Sequence, residues 1–183
     1  IVVFQDAPPY TRQAAEELLA LANASPRMRV LELFLDGELD AVYEIAMPVP
    51  RWPVEHELVI GCRAIFHLRY EESWRWEPPP SWAPIGLVAP VDPFHPNSRP
   101  ALRGAICLGK IAPGTRPKQL VCSAYEALTL QDYALDESDP AGVMNAQACE
   151  FFRAHPEYLP LTPAGLCDSW SPPLAGAPGL WQR

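Results

Sequence analysis

Five cysteines occur among the 183 residues: Cys62, Cys107, Cys122, Cys149 and Cys167. Their number is odd and no C-x-x-C pair occurs, so neither a disulfide framework nor a zinc site is expected. Cys122 and Cys149 fall on helical apolar faces, where a cysteine serves as a small buried hydrophobe. Cys107 is placed differently, inside the aperiodic stretch VDPFHPNSRPALRGAICLGKIAPGTRP, with polar residues on both sides. A thiolate is the best acyl-carrying nucleophile among side chains. Passing an acyl group between proteins as a thioester needs an accessible cysteine on an irregular surface loop. Cys167 also lies in a loop-like region, but no companion residues surround it. For Cys107 the companions are His95 and Asn97. A cysteine hydrolase would use His95 as its base, yet no third group to orient that ring is evident.

The elements that must position this stretch are marked out by proline. There are 23 prolines against 10 glycines, together about 18% of the chain, which is below the ~25–30% typical of disordered sequence. With 49% hydrophobic residues, one compact domain is expected. Proline-free windows at 10–25, 27–47, 54–77, 118–139 and 141–155 can each hold regular structure. Thr11 to Ala24 spaces Ala15, Leu18, Leu19 and Ala22 as one face of a helix.

Leu31, Leu33 and Leu35 before Asp36-Gly37, and Ala41, Tyr43, Ile45 and Met47 after it, predict a hairpin. Ala64, Phe66, Leu68 and Tyr70 share one face of a third strand, and Ile85 to Ala89 forms a fourth. A helix beginning at Pro117 carries Leu120, Ala124, Ala127 and Leu128 inward. Another starts at Asp139-Pro140 and carries Met144, Ala148, Phe151 and Phe152. The result is an α+β fold: N-terminal helix, four-stranded antiparallel meander, long loop and two C-terminal helices. The catalytic domain is assigned to 1–160, and 161–183 to a proline-rich tail that wraps the domain or stays mobile.

A formal charge of −8 and scattered arginines argue against binding a phosphate backbone, so no nucleic-acid partner is expected. No apolar run approaches the ~18–20 residues of a membrane span, and the first residues lack a signal-peptide layout. No membrane partner and a cytoplasmic location are therefore expected. No metal or organic cofactor is called for.

The tripeptide His95-Pro96-Asn97, followed by Gly104-Ala105-Ile106-Cys107-Leu108, resembles the signature of the ubiquitin-conjugating enzyme family. The resemblance runs from about Thr11 to Leu159 and includes the segment SDPAGVMNAQACEFFRAHPEYL. It implies a UBC-like fold in which Cys107 accepts the C-terminus of a ubiquitin-like modifier from an activating enzyme and passes it to a target lysine.

It further implies that Asn97 steadies the loop and donates to the oxyanion formed as the amine attacks. Asp139 would orient and desolvate the incoming amine, and His95, Pro96 and Gly104 would be structural parts of the active-site loop. Arginine outnumbers lysine strongly, and the segment IAPGTRPKQ lacks the Trp-Ser-Pro-type motif gripped by eukaryotic ligases. Both features look like the prokaryotic branch, which is found in antiphage defence operons. There the modifier is a ubiquitin-like protein or the C-terminus of a nucleotide cyclase. Two other readings are a conjugation factor acting on such a cyclase and a non-catalytic binding module of the same fold.

Overall fold

Helix α1 (Pro9–Ala24) starts with proline, whose missing N–H would have no intrahelical partner there anyway. It buries Ala14, Ala15, Leu18 and Leu21, and Ser25 N–H closes it onto the Leu21 carbonyl at 3.0 Å. The computed structural model describes residues 7–80, 82–98, 104–136, 144–173 and 178–182. After α1 come β1 (Met28–Asp36), β2 (Glu38–Val54), β3 (Glu57–Tyr70) and β4 (Ile85–Ala89), then α2 (Pro117–Leu128), α3 (Ala146–Ala154) and β5 (Leu180–Gln182). No helix among the described residues is long and apolar enough to cross a membrane.

β1 to β4 pair in chain order as an antiparallel meander. Its inner face carries Ala41, Tyr43, Ile45 and Met47 on β2 and Ala64, Phe66, Leu68 and Tyr70 on β3, all buried against α1 and α2. The alternation expected of a sheet wet on one side holds over Glu38–Met47 of β2 and Ala64–Tyr70 of β3. The outer face is polar, with Arg29–Glu44 at 3.0 Å, His67–Asp40 at 2.8 Å and Arg69–Glu38 at 2.8 Å pairing across strands. Such exposed pairs each contribute only ~0–1 kcal/mol.

Several expectations need correction. The leucines of β1 do not share a face: a bulge between Val30 and Glu32 leaves Leu31 exposed while Leu33 is buried. β2 does not stop at the proline-free window but runs on through Pro48, Pro50 and Pro53. This is tolerated because β1 pairs with β2 only as far as Ile45, so one side of β2 is an edge beyond that point. Irregularities in the β2–β3 pairing also fall at Ala46/Val49 and Arg51/Val54.

β3 extends back to Glu57 through a tight turn at Glu55 and His56, both with positive φ (51° and 70°). The sheet also gains a fifth strand from the tail, because β5 pairs in parallel with Val59–Gly61. Finally, Asp139-Pro140, where a helix was expected to open, lies outside the described residues, and the described helix α3 is Ala146–Ala154. It begins at Ala146, with the Asn145 side chain accepting the Ala148 N–H at 3.2 Å, so Met144 lies outside it.

The lengthened β2–β3 hairpin supplies a second, smaller core. Leu58 and Ile60 of β3 pack with Phe94, Leu130, Ala148, Phe152 and Tyr158 beneath α3. Leu130 has φ 57°, an unfavourable value for a leucine, held by burial of its side chain in this cluster. The segment after α3 packs onto the domain as well. Leu161 N–H donates to Thr129 O at 3.0 Å, and Ser25 Oγ donates to Leu166 O at 2.6 Å. Arg27, 5% exposed, reaches the Asp168 carbonyl and the Tyr125 hydroxyl, both at 2.5 Å.

The Tyr43 hydroxyl is buried without a hydrogen-bond partner, and its burial pushes the phenol's pKa well above the ordinary value. Removing that oxygen relieves an unreturned desolvation cost. Tyr43→Phe is therefore expected to raise stability by ~1 kcal/mol, read as a higher midpoint in urea; a lower midpoint would show that the hydroxyl is satisfied in solution.

Candidate active site

The stretch from Pro90 to Arg116 forms no helix and no strand longer than an isolated bridge among its described residues, as its prolines require. Backbone hydrogen bonds nevertheless tie it down at short intervals. Phe94 N–H donates to Pro50 O at 2.9 Å, so the proline-bearing half of β2 anchors the loop's entry. Gly104 N–H donates to Val91 O at 2.8 Å, and Leu87 N–H to Gly104 O at 2.7 Å. Gly104 has φ 79°, and a Cβ there would collide with the Leu87 carbonyl. Both the conformation and the close approach to β4 require glycine.

His95 is completely buried. Asn97 N–H donates to its Nδ1 at 3.0 Å, which makes Nδ1 the lone-pair nitrogen; Nε2 therefore carries the proton and donates to Ala127 O at 2.8 Å. The ring thus joins the loop to the last turn of α2. Burial lowers its pKa to about 4, with the Ala127 hydrogen bond opposing. With both nitrogens engaged, His95 has no lone pair left to act as a general base. That removes the chemistry a cysteine hydrolase would need from this residue.

Pro96 contributes through its carbonyl, which accepts N–H groups from Met144 at 2.8 Å and Asn145 at 3.1 Å. The N-terminal end of α3 is thereby held to the loop. Asn97 and Cys107 meet in a reciprocal contact: Cys107 N–H donates to Asn97 O at 2.8 Å, and Asn97 Nδ2 donates to Cys107 O at 3.3 Å. The neighbouring Ser98–Ile106 bridge extends this pairing. The Asn97 side-chain oxygen is buried with no partner, so the side chain is held by its amide nitrogen.

Cys107 is only 6% exposed, more enclosed than a surface-loop cysteine was expected to be. It lines a cavity of about 290 Å³ together with Asn97, Gly109, Lys110, Asp132 and Tyr133. Asp132 and Tyr133 arrive from the exit of α2, beyond the turn at Leu130. Sequence reading did not single out either residue, because nothing local to positions 132 and 133 shows that the α2 exit folds back beside Cys107. Asp139, the acidic residue expected here, lies outside the described residues.

Cys149 is buried in α3 and Cys122 half-buried in α2, where burial raises the Cys122 pKa. Neither thiol has the surroundings of Cys107. Among the described residues no group of three or more His, Cys, Asp or Glu side chains converges as a metal site would require. No protein-family model, curated protein or solved structure matches the chain.

The buried His95 makes stability depend on pH with a definite sign. Its folded-state value of about 4 lies below the ordinary 6.5, so between these values the unfolded chain binds more protons and stability falls as pH falls. The full contribution, ~3 kcal/mol, is present above about pH 6.5 and is lost by about pH 4. Wild type should therefore lose more stability than His95→Gln across this window in urea titrations. Equal losses would refute the buried neutral ring.

Proposed function

We propose that this protein is a ubiquitin-conjugating-like transferase that carries the C-terminus of a ubiquitin-like modifier as a thioester on Cys107. The observation that carries this reading is the reciprocal hydrogen bonding of Asn97 and Cys107 at the wall of an open cavity. It fixes the Asn97 side chain against the Cys107 backbone, and both residues line the cavity in which an acyl group would lie. The resemblance of the flanking sequence to the conjugating-enzyme signature supplies the chemistry.

In loading, the Cys107 thiolate attacks the thioester held by an activating enzyme. A new C–S bond forms and the enzyme's thiolate leaves. In discharge, a lysine amine attacks the acyl carbon, a C–N bond forms, and the Cys107 thiolate departs. The negative charge that develops on the acyl oxygen needs a donor fixed in advance. Asn97 Nδ2 spends one hydrogen on the Cys107 carbonyl and retains a second for this oxygen.

The attacking amine must approach as a neutral nucleophile and lose a proton as the C–N bond forms. Asp132, exposed and lining the same cavity, would orient that amine, and by the resemblance Asp139 would be a second carboxylate for the same task. Work in bacterial antiviral defence, on a protein lysine or with a cyclase C-terminus as modifier, belongs to this reading through the resemblance alone.

The test is a non-reducing gel after incubation with the activating enzyme and modifier encoded nearby. A thiol-labile adduct should form on the wild type and vanish in Cys107→Ala; an adduct that persists in the variant sinks the assignment. Single-turnover discharge to free lysine then separates the roles. Asn97→Ala is expected to slow discharge by ~100-fold, the scale of losing one oxyanion donor. Asp132→Asn should slow it by ~10-fold or more, within the range of positioned acid–base groups, with loading retained. Normal discharge in either variant overturns that residue's role.

A further inference from the structure

A second cavity, of about 560 Å³, opens between the tip of the β2–β3 hairpin and α3, and shares no residue with the one beside Cys107. Its walls are aromatic: Trp52 and Phe94 have ring centroids 4.9 Å apart, and Phe94 and Phe151 are 5.4 Å apart. Phe94 is buried at the back, while Trp52 remains 37% exposed. Glu55 from the hairpin tip and Glu150 from α3 also line the cavity, both exposed. Among the described residues neither has an ion-pair partner, and no lysine or arginine lines the space. The remaining titratable lining groups are His56 and His155, the latter held through Nδ1 by Glu157 at 2.9 Å.

We propose that this cleft docks an arginine-bearing segment of a partner protein. Ring faces attract cations, and a planar guanidinium both stacks on them and offers paired donors to carboxylates. Two unpaired glutamates beside three rings present that combination. A purely apolar occupant would desolvate the carboxylates without return, and a nucleic-acid phosphate would be repelled by them. The volume falls within the ~300–1,000 Å³ usual for ligand clefts.

The position gives the cleft a use. Phe94 precedes Asn97 by three residues, which limits their separation to about 11 Å along the chain. A segment seated in the cleft therefore lies close to the Cys107 cavity, where it would hold an acceptor protein. That use rests on the transferase reading, but the binding itself does not.

Binding is accordingly measured on Cys107→Ala protein, which cannot form a thioester, so the result stands apart from any loading assay. The isotope-labelled chain is titrated with an acetylated Gly-Arg-Gly-Arg-Gly amide at low salt and followed by amide NMR shifts. Saturable shifts confined to residues 52–56, 94 and 147–155 are expected. Binding should weaken at least five-fold in the double variant E55Q/E150Q, which keeps the ring walls and alters only exposed carboxylates. Absent shifts, shifts spread across the acidic surface, or equal affinity in the double variant overturn the proposal. So does equal binding of the leucine counterpart of the peptide, or a concentration-dependent shift without peptide that marks a second copy of the chain as occupant.

Discussion

The neutral imidazole of His95 is the point on which the irregular half of the molecule depends. One ring nitrogen accepts from the Asn97 backbone and the other donates to the last turn of α2. The loop has only scattered backbone bonds of its own, such as Gly104 to Val91 and Cys107 to Asn97, and proline removes donors that might have supplied a ladder. Further fixity is imported from a finished helix through a buried side chain. Because the ring is fully buried, an unmet nitrogen there would cost the desolvation of that group, so loop and helix are specified together. The Pro96 carbonyl carries the same constraint onward to α3.

The hairpin that passes through three prolines is the counterpart of this arrangement on the sheet side. By continuing beyond the end of β1, β2 and β3 build a platform on which the second core assembles. Phe94 sits in that core and its N–H is bonded to Pro50, so the loop enters from a fixed point. The cysteine is thus held between two cores, one under α1 and α2 and one under α3. Neither core contains the thiol, yet both set where it lies.

How much of this could be read in the sequence follows from which interactions are local. The inner faces of β2 and β3 were legible because one side of the sheet is wet and the strands alternate accordingly. α2 was legible because Pro117 opens a clear helical period. The second half of β2 was hidden, because prolines in a strand are allowed only when a neighbour is missing, and the missing neighbour is a tertiary fact. The turn at Glu55 and His56 carries neither glycine nor asparagine to announce positive φ. The opening of α3 at Asn145 was hidden because the Pro96 carbonyl that holds Met144 and Asn145 comes from a distant part of the chain. β5 is three residues long and exists only through its pairing with β3. In the site itself, His95, Asn97, Gly104 and Cys107 were visible as a motif, whereas Asp132 and Tyr133 join it through the path taken after α2.

The bulge at Leu31 bears on more than the packing of β1. A strand at the border of a sheet offers unpaired donors and acceptors to any extended chain it meets, and this one displays Leu31 and Phe34 on its surface. The extra residue interrupts the regular repeat of those groups halfway along the strand. Charged Arg29, Glu32 and Asp36 are spaced among the exposed apolar side chains. A second molecule could match only a few residues before losing register, which guards this border against fibril-like stacking of sheets.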